Sequence, residues 1–270
     1  METEERVEKE FVAGEKPQLA VANVRGSITV HGGDGGAVQV TAVKRLESCR
    51  HPERTEIEIT QEGDRVVART RHRDEWSGLI LQQGGGVCAV DYTVQVPTHC
   101  EVQIRQVAGT VQVSGISGEV QVNAVEGEVN LREIAGRTEV KAVSATVAGE
   151  GWSGRASVDT VSGAVQIAGA QLSHLQANVV SGDLSLETAV DASGRYDFNS
   201  VSGDVTLYLP AERGIESRGS TISGQLVCDL PHAFSHRGRG GWRATINGGG
   251  PPVRFNSISG DLEVLAAKPV

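Results

Sequence analysis

Three aspartates occupy the same place in a repeated phrase. Asp183, Asp204 and Asp261 each follow a glycine, in Val180-Ser181-Gly182-Asp183-Leu184, Val201-Ser202-Gly203-Asp204-Val205 and Ile258-Ser259-Gly260-Asp261-Leu262. Carboxylates stacked from one copy to the next would lie about 5 Å apart, the separation a retaining glycosidase needs. Asp after Gly is also ordinary turn chemistry, and nothing beside these residues would tune one as acid and another as base. A polysaccharide-active β-helix enzyme therefore stands as an alternative, with no catalytic residue assigned. The Gly-Gly-x-Gly-x-Asp phrase of nonapeptide calcium repeats is absent. Cys228, His232 and His236 are spaced four apart beside Asp229, which formally permits zinc. Pro231 breaks the helix that would align them, and Cys228 shares the inward parity of Leu226. A buried thiol is expected there, with no metal and no cofactor.

A different chemistry is suggested by Phe234-Ser235-His236-Arg237-Gly238-Arg239-Gly240-Gly241-Trp242-Arg243, where arginines alternate with glycine and aromatic residues. Guanidinium groups beside rings clamp nucleic-acid phosphates and bases or bind anionic glycans; a solvated loop whose Trp242 packs back onto its scaffold is the other reading. The stretch Arg69 to Gly86 repeats the basic lead, then carries Trp76 and Leu79-Ile80-Leu81, the kind of exposed apolar run that serves as a partner or packing surface. The candidate binding residues are thus Trp242, Arg239, Arg243, Arg237 and Trp76. Irregular loops on a rigid scaffold are where binding groups collect.

The scaffold that would hold them is written in the glycine spacing. Gly109, Gly118, Gly127, Gly136, Ala145, Gly154 and Gly163 recur every nine residues, and every second one opens a stronger corner. From Gly127 through Ala145 to Gly163, Gly182, Gly203 and Gly224 the strong corners are 18 to 21 residues apart, which reads as one coil lengthening in chain order; the gap to Gly260 must hold an excursion, at about 227–252. Short alternating stretches such as Val120-Gln121-Val122 and Val205-Thr206-Leu207-Tyr208-Leu209 follow the corners, so one face of each turns inward. Strands this close leave no room for crossover helices. The fold expected is all-β: a parallel β-solenoid with two short strands per coil, an antiparallel meander being the other arrangement. Val122, Leu131, Val165, Leu186, Leu207 and Val264 should be buried, and Gly163, Gly182 and Gly203 should have positive φ or touch the next coil. Two residues before the Val or Ile of strong corners stand Asn123, Asp159, Asn178, Asn199 and Asn256, with Lys141 and Ser220 as exceptions; such positions form stacked amide ladders.

Residues 1–106 are less regular. Val24-Arg25-Gly26-Ser27-Ile28 looks like one more corner, and longer alternating strands surround it, with Glu62-Gly63-Asp64 as a hairpin turn. This section should cap one end of a single 1–270 domain whose regular coils occupy 107–270. A net charge of −9 excludes general attraction to nucleic acid. No secretory signal opens the chain and no apolar run is long enough for a transmembrane helix. Four dispersed cysteines fit reduced thiols, and the location expected is cytoplasmic, with cell-surface association left open.

The Tyr92-Thr93-Val94-Gln95-Val96-Pro97 segment, the tandem Val-Ser-Gly-Asp-Val corners and the closing Ser-Ile-Ser-Gly-Asp-Leu resemble the bacterial putative-adhesin domains of unknown function over nearly the whole chain. The resemblance implies a β-solenoid connected with the cell envelope and supplies no catalytic residues. The function expected is a non-enzymatic binding or scaffolding module with a protein or glycan partner. A self-assembling scaffold like the bactofilins, associating through solenoid ends, is a further alternative.

Overall fold

The computed structural model describes residues 3–72, 86–238 and 240–267. They form strands and turns, with two single 3-10 turns, Leu46–Ser48 and Pro52–Arg54, and no α-helix among the described residues. None is therefore a helix long and apolar enough to cross a membrane. The chain divides into two compact units, Met1–Asn130 and Leu131–Val270, and each is built from parallel coils.

The first unit contains β1 (Glu4–Val12), β2 (Gln18–Gly33), β3 (Ala37–Arg45), β4 (Thr55–Glu62), β5 (Arg65–His72), β6 (Val90–Pro97), β7 (Glu101–Ile116) and the start of β8 (Glu119–Glu150). β2 bends at Gly26, and both of its arms pair in parallel with β7, bringing Gly26 opposite Gly109. The other edge of β2 takes β5 along the first arm and β6 along the second. β4 then returns antiparallel on β5 through the expected turn at Gly63, while β3 lies antiparallel on β6 and β1 on β3. The less regular section thus holds a full coil as well as antiparallel strands. Buried Asn23 fastens it: its Nδ2 donates to the Val90 carbonyl at 2.8 Å, and its Oδ1 accepts from the Thr70 hydroxyl at 2.9 Å. The Tyr92 hydroxyl lies 2.9 Å from that of Thr70, and burial pushes its pKa up to about 12.

The second unit continues with the rest of β8, β9 (Ser153–Ser162), β10 (Val165–Ser181), β11 (Leu184–Thr188), β12 (Arg195–Ser202), β13 (Val205–Leu209), β14 (Ile215–Thr221), β15 (Leu226–Cys228), β16 (His232–Gly238), β17 (Gly241–Ile246), β18 (Pro252–Ser259) and β19 (Leu262–Ala266). Arms before the corners pair in parallel in the order β8, β9, β10, β12, β18, β14. After the corners, β11, β13, β19 and β15 follow in the same way. One expectation is corrected here. The coils do not stack in chain order to Gly224, because β18 and β19, the last strands, are inserted between the Gly203 and Gly224 coils. The excursion between them forms the hairpin β16–β17, laid antiparallel on β14. β12 and β18 pair residue for residue, Tyr196-Asp197-Phe198-Asn199 lying against Val253-Arg254-Phe255-Asn256.

The interior follows the alternation. Val122, Leu131, Val165, Leu186, Leu207 and Val264 are all fully buried. Larger groups enter with their polar atoms satisfied: Trp152 Nε1 donates to the Leu131 carbonyl at 2.9 Å, and the Tyr196 hydroxyl to that of Leu172 at 2.5 Å.

Corner glycines serve both purposes expected of them. Gly182 has φ +134°, and a Cβ built on it would lie 2.3 Å from the Gly163 carbonyl oxygen of the preceding coil. Gly224 lacks the positive φ yet would clash with the Gly260 oxygen at 2.0 Å. Ala145 fills the same slot without positive φ and is buried; at that corner the left-handed turn is dispensed with.

The cysteines require a second correction. Cys49 and Cys88 are joined in a disulfide, while Cys100 is free and buried, its thiol pushed up to about 12 by desolvation, and Cys228 is free and half-buried. Residues dispersed in sequence meet because the turns after β3 and before β6 lie at the same edge of the antiparallel strands.

Gly182→Ala should cost about 2 kcal/mol or more, from left-handed strain and the clash; Leu207→Ala should cost roughly 2–5 kcal/mol through the cavity left. Chemical denaturation of each variant measures both. Reduction of Cys49–Cys88, or its replacement by two serines, should lower the stability of the first unit by about 2–4 kcal/mol because a loop of 39 residues is released; melts with and without reductant read this directly.

Candidate functional site

The corner aspartates turn out to be stitches. Asp183 Oδ1 accepts the Asp204 N–H at 3.1 Å, Asp204 Oδ1 that of Asp261 at 2.8 Å, and Asp261 Oδ1 that of Gln225 at 2.9 Å. Each carboxylate holds the backbone one coil along. Beside them the corner Val143, Val161, Val180, Val201, Ile258 and Ile222 are 43% to 80% exposed. The strand register sets them in one aliphatic stripe. Sequence reasoning had not picked it out, because valine beside an alternating strand reads as core.

From Asp159 to Asn256 the amide ladder forms as the spacing suggested, and Asn123 takes no part in it. Asn178 Nδ2 donates to Asp159 Oδ1 at 2.5 Å, Asn199 to Asn178 Oδ1 at 2.8 Å and Asn256 to Asn199 Oδ1 at 2.9 Å. The two exceptions stand at its ends, Lys141 opposite Asp159 and Ser220 opposite Asn256. Lys141 donates to Glu139 at 2.7 Å, and this bond raises its pKa.

Two residues earlier on the same outer face, a second row runs across the strands. On the regular coils it runs Glu139, Ser157, Gln176 and Asp197, with an acidic residue at each end: Glu139 is held by Lys141, and Asp197 by Arg195 at 2.6 Å. Beyond Asp197 its sign changes. Arg254 lies opposite Asp197, Arg218 opposite Arg254, Arg243 opposite Arg218 and His236 opposite Arg243. All four of these basic residues are exposed. Arg254 reaches Asp197 only at 3.8 Å, and neither Arg218 nor Arg243 has an ion-pair partner among the described residues. Glu216, next on β14, instead accepts from the Thr245 hydroxyl at 3.2 Å. The row borders an open cleft of about 510 Å³ that includes Asn256 and Ser220.

Of the residues singled out in the sequence, Arg243 belongs to this row. Arg237 is exposed on β16, with its guanidinium 4.9 Å from the Phe234 ring centre. Trp242 points inward: it is buried, its Nε1 donates to Ser217 Oγ at 3.1 Å, and its ring stacks on Phe255 at 5.9 Å. It packs inward beside Arg243 and is one of the residues lining the cleft. Trp76 and Arg239 lie outside the described residues. Arg218 and Arg254 were missed because each stands alone in sequence; the signal was their place two residues before a ladder position, shared with Asp197. Cys228 and His232 both turn to the Leu230 carbonyl, at 3.5 and 2.9 Å, while burial raises the Cys228 thiol. Among the described residues no three His, Cys, Asp or Glu side chains converge as metal ligands.

A family model described as Toastrack DUF4097 matches residues 28–265. No curated protein matches the chain. Among solved structures, one called a putative adhesin, from Bacteroides fragilis NCTC 9343, is 10% identical with a TM-score of 0.55 and 97% of each chain covered, which shows a shared fold. Two from Parabacteroides distasonis ATCC 8503 also cover 97% of each chain. One, called a putative adhesin, has 11% identity and a TM-score of 0.41, and the other, called a putative lipid binding protein, has 10% and 0.43.

Trp242→Ala should cost about 3–5 kcal/mol, because it empties the space beneath β14 and β17, whereas Arg243→Ala and Arg237→Ala should stay within about 0.5 kcal/mol of the parent. Thermal melts of the three variants separate support from surface.

Proposed function

The chain belongs to the Toastrack DUF4097 family, and on that premise we propose that it is a non-enzymatic binding module whose ligand meets the outer face of β18, β14, β17 and β16. The observation that carries this reading is a contrast in satisfaction. On the regular coils, the corner carboxylates and ladder amides bond from coil to coil, whereas on the excursion face Arg254 reaches a carboxylate only at 3.8 Å and Arg218 and Arg243 have no carboxylate partner among the described residues. Polar groups that a protein leaves unpaired on a rigid sheet are available to a second molecule. The corner aspartates are committed to backbone amides, which weighs against a β-helix hydrolase. End-to-end assembly gains no support at β16, where the pairing with β17 is interrupted by a bulge between Phe234 and His236, a device that discourages strand addition at an edge. The Cys49–Cys88 bond suits an oxidising compartment and so favours work at the cell envelope over the reducing cytoplasm expected from the opening residues.

Replacing Arg237, Arg239 and Arg243 with alanine, and leaving buried Trp242 in place, should keep the fold and remove the interaction. Partners captured from envelope extracts by parent and variant are compared by mass spectrometry. An identical set from both would place the binding surface elsewhere, and release of reducing ends from a polysaccharide panel by the parent would return the enzyme reading.

A further inference from the structure

We propose that the row Arg254–Arg218–Arg243 binds an acidic polysaccharide, with its carboxylate or sulfate groups along the arginines and its hydroxyls on the adjoining Asn256 and Ser220; this rests on the excursion face being the binding surface. Neighbouring strands are about 4.8 Å apart, so three arginines in register place three guanidinium groups within a span of roughly 10 Å. Like charges directly opposite one another destabilise a sheet. This chain has 34 acidic residues against 25 basic ones, yet the two carboxylates the described residues bring to the edge of the row are already engaged, Asp197 by Arg195 and Glu216 by the Thr245 hydroxyl. An anion lying along the row removes that repulsion, and the planar fork of each guanidinium fits a carboxylate or sulfate through paired N–H donors.

The extended form of the row favours a chain of anions over a single ion, and the ladder beside it favours a sugar chain. Asn256 gives one N–H to Asn199, which leaves its second N–H and its carbonyl oxygen for hydroxyl groups. Nucleic acid lacks its usual second attachment here. Single strands need exposed rings for base stacking, whereas Trp242 and Phe255 are buried and Phe234 is covered by Arg237.

The test uses the full chain, immobilised, with polygalacturonate, dextran sulfate, neutral dextran and oligo-dT as probes. The parent should bind at least one acidic polysaccharide, weaken as salt rises, and ignore neutral dextran. Arg218→Gln/Arg243→Gln/Arg254→Gln should bind at least tenfold more weakly. Arg105→Gln/Arg132→Gln/Arg155→Gln, which removes as many charges from other exposed sites, should bind like the parent. A melting temperature for the row variant no lower than that of the parent shows that lost binding is not lost folding. The proposal is overturned if neither acidic polymer binds, if the two variants weaken equally, or if oligo-dT binds as tightly as the polysaccharides. Should the polymers fail while the alanine variant above still loses its captured partner, the ligand class is wrong and the binding-module reading stands; if that variant loses nothing either, the surface itself is wrong.

Discussion

The close approach of one corner backbone to the next is the constraint on which the remaining features depend. A carbonyl oxygen of one coil occupies the place where the next coil's corner residue would carry Cβ, as Gly163 does for Gly182 and Gly203 for Gly260. This contact fixes the spacing and register of adjacent coils together. With register fixed, equivalent positions face each other across the parallel corner strands, so an asparagine can bond to an asparagine and an aspartate to the next amide. A shift of one residue would turn each strand's buried set to solvent. Corner, ladder and core therefore agree on a single alignment.

Chain order is not what determines stacking. Gly26 meets Gly109 in the first unit, and the C-terminal strands are inserted between older coils in the second. Such pairings are long-range and must await loop closure, which makes them late and slow to form. The inserted β18 carries Arg254 between Asp197 and Arg218, so the charged row is complete only after β18 is in place. Surface chemistry and completion of the fold are coupled by this single insertion.

Packing and surface remain separable elsewhere on the excursion face. Trp242, Phe255, Ala244 and Ile246 are buried beneath it, while Arg243 and Arg254 alternate with them outward. Period-two alternation assigns support to one side and contact to the other. The arginines can change without emptying the core, which is the freedom a binding surface needs to vary on a constant scaffold.

Much of the scaffold was legible in the sequence by itself. Local repetition, with a glycine wherever two backbones touch and an apolar residue at alternate positions, specified the parallel coils, the inward set from Val122 to Val264 and the amide ladder from Asp159 to Asn256. These depend on short spacings that a single coil displays. Which coil lies beside which was not legible, because Gly203 fits Gly224 and Gly260 equally well by motif, and only tertiary packing selects Gly260. The arginine row follows from that choice, as does the meeting of Cys49 with Cys88 and the turning inward of Trp242. Residues far apart in the chain acquire a shared chemistry only when the sheet sets them side by side.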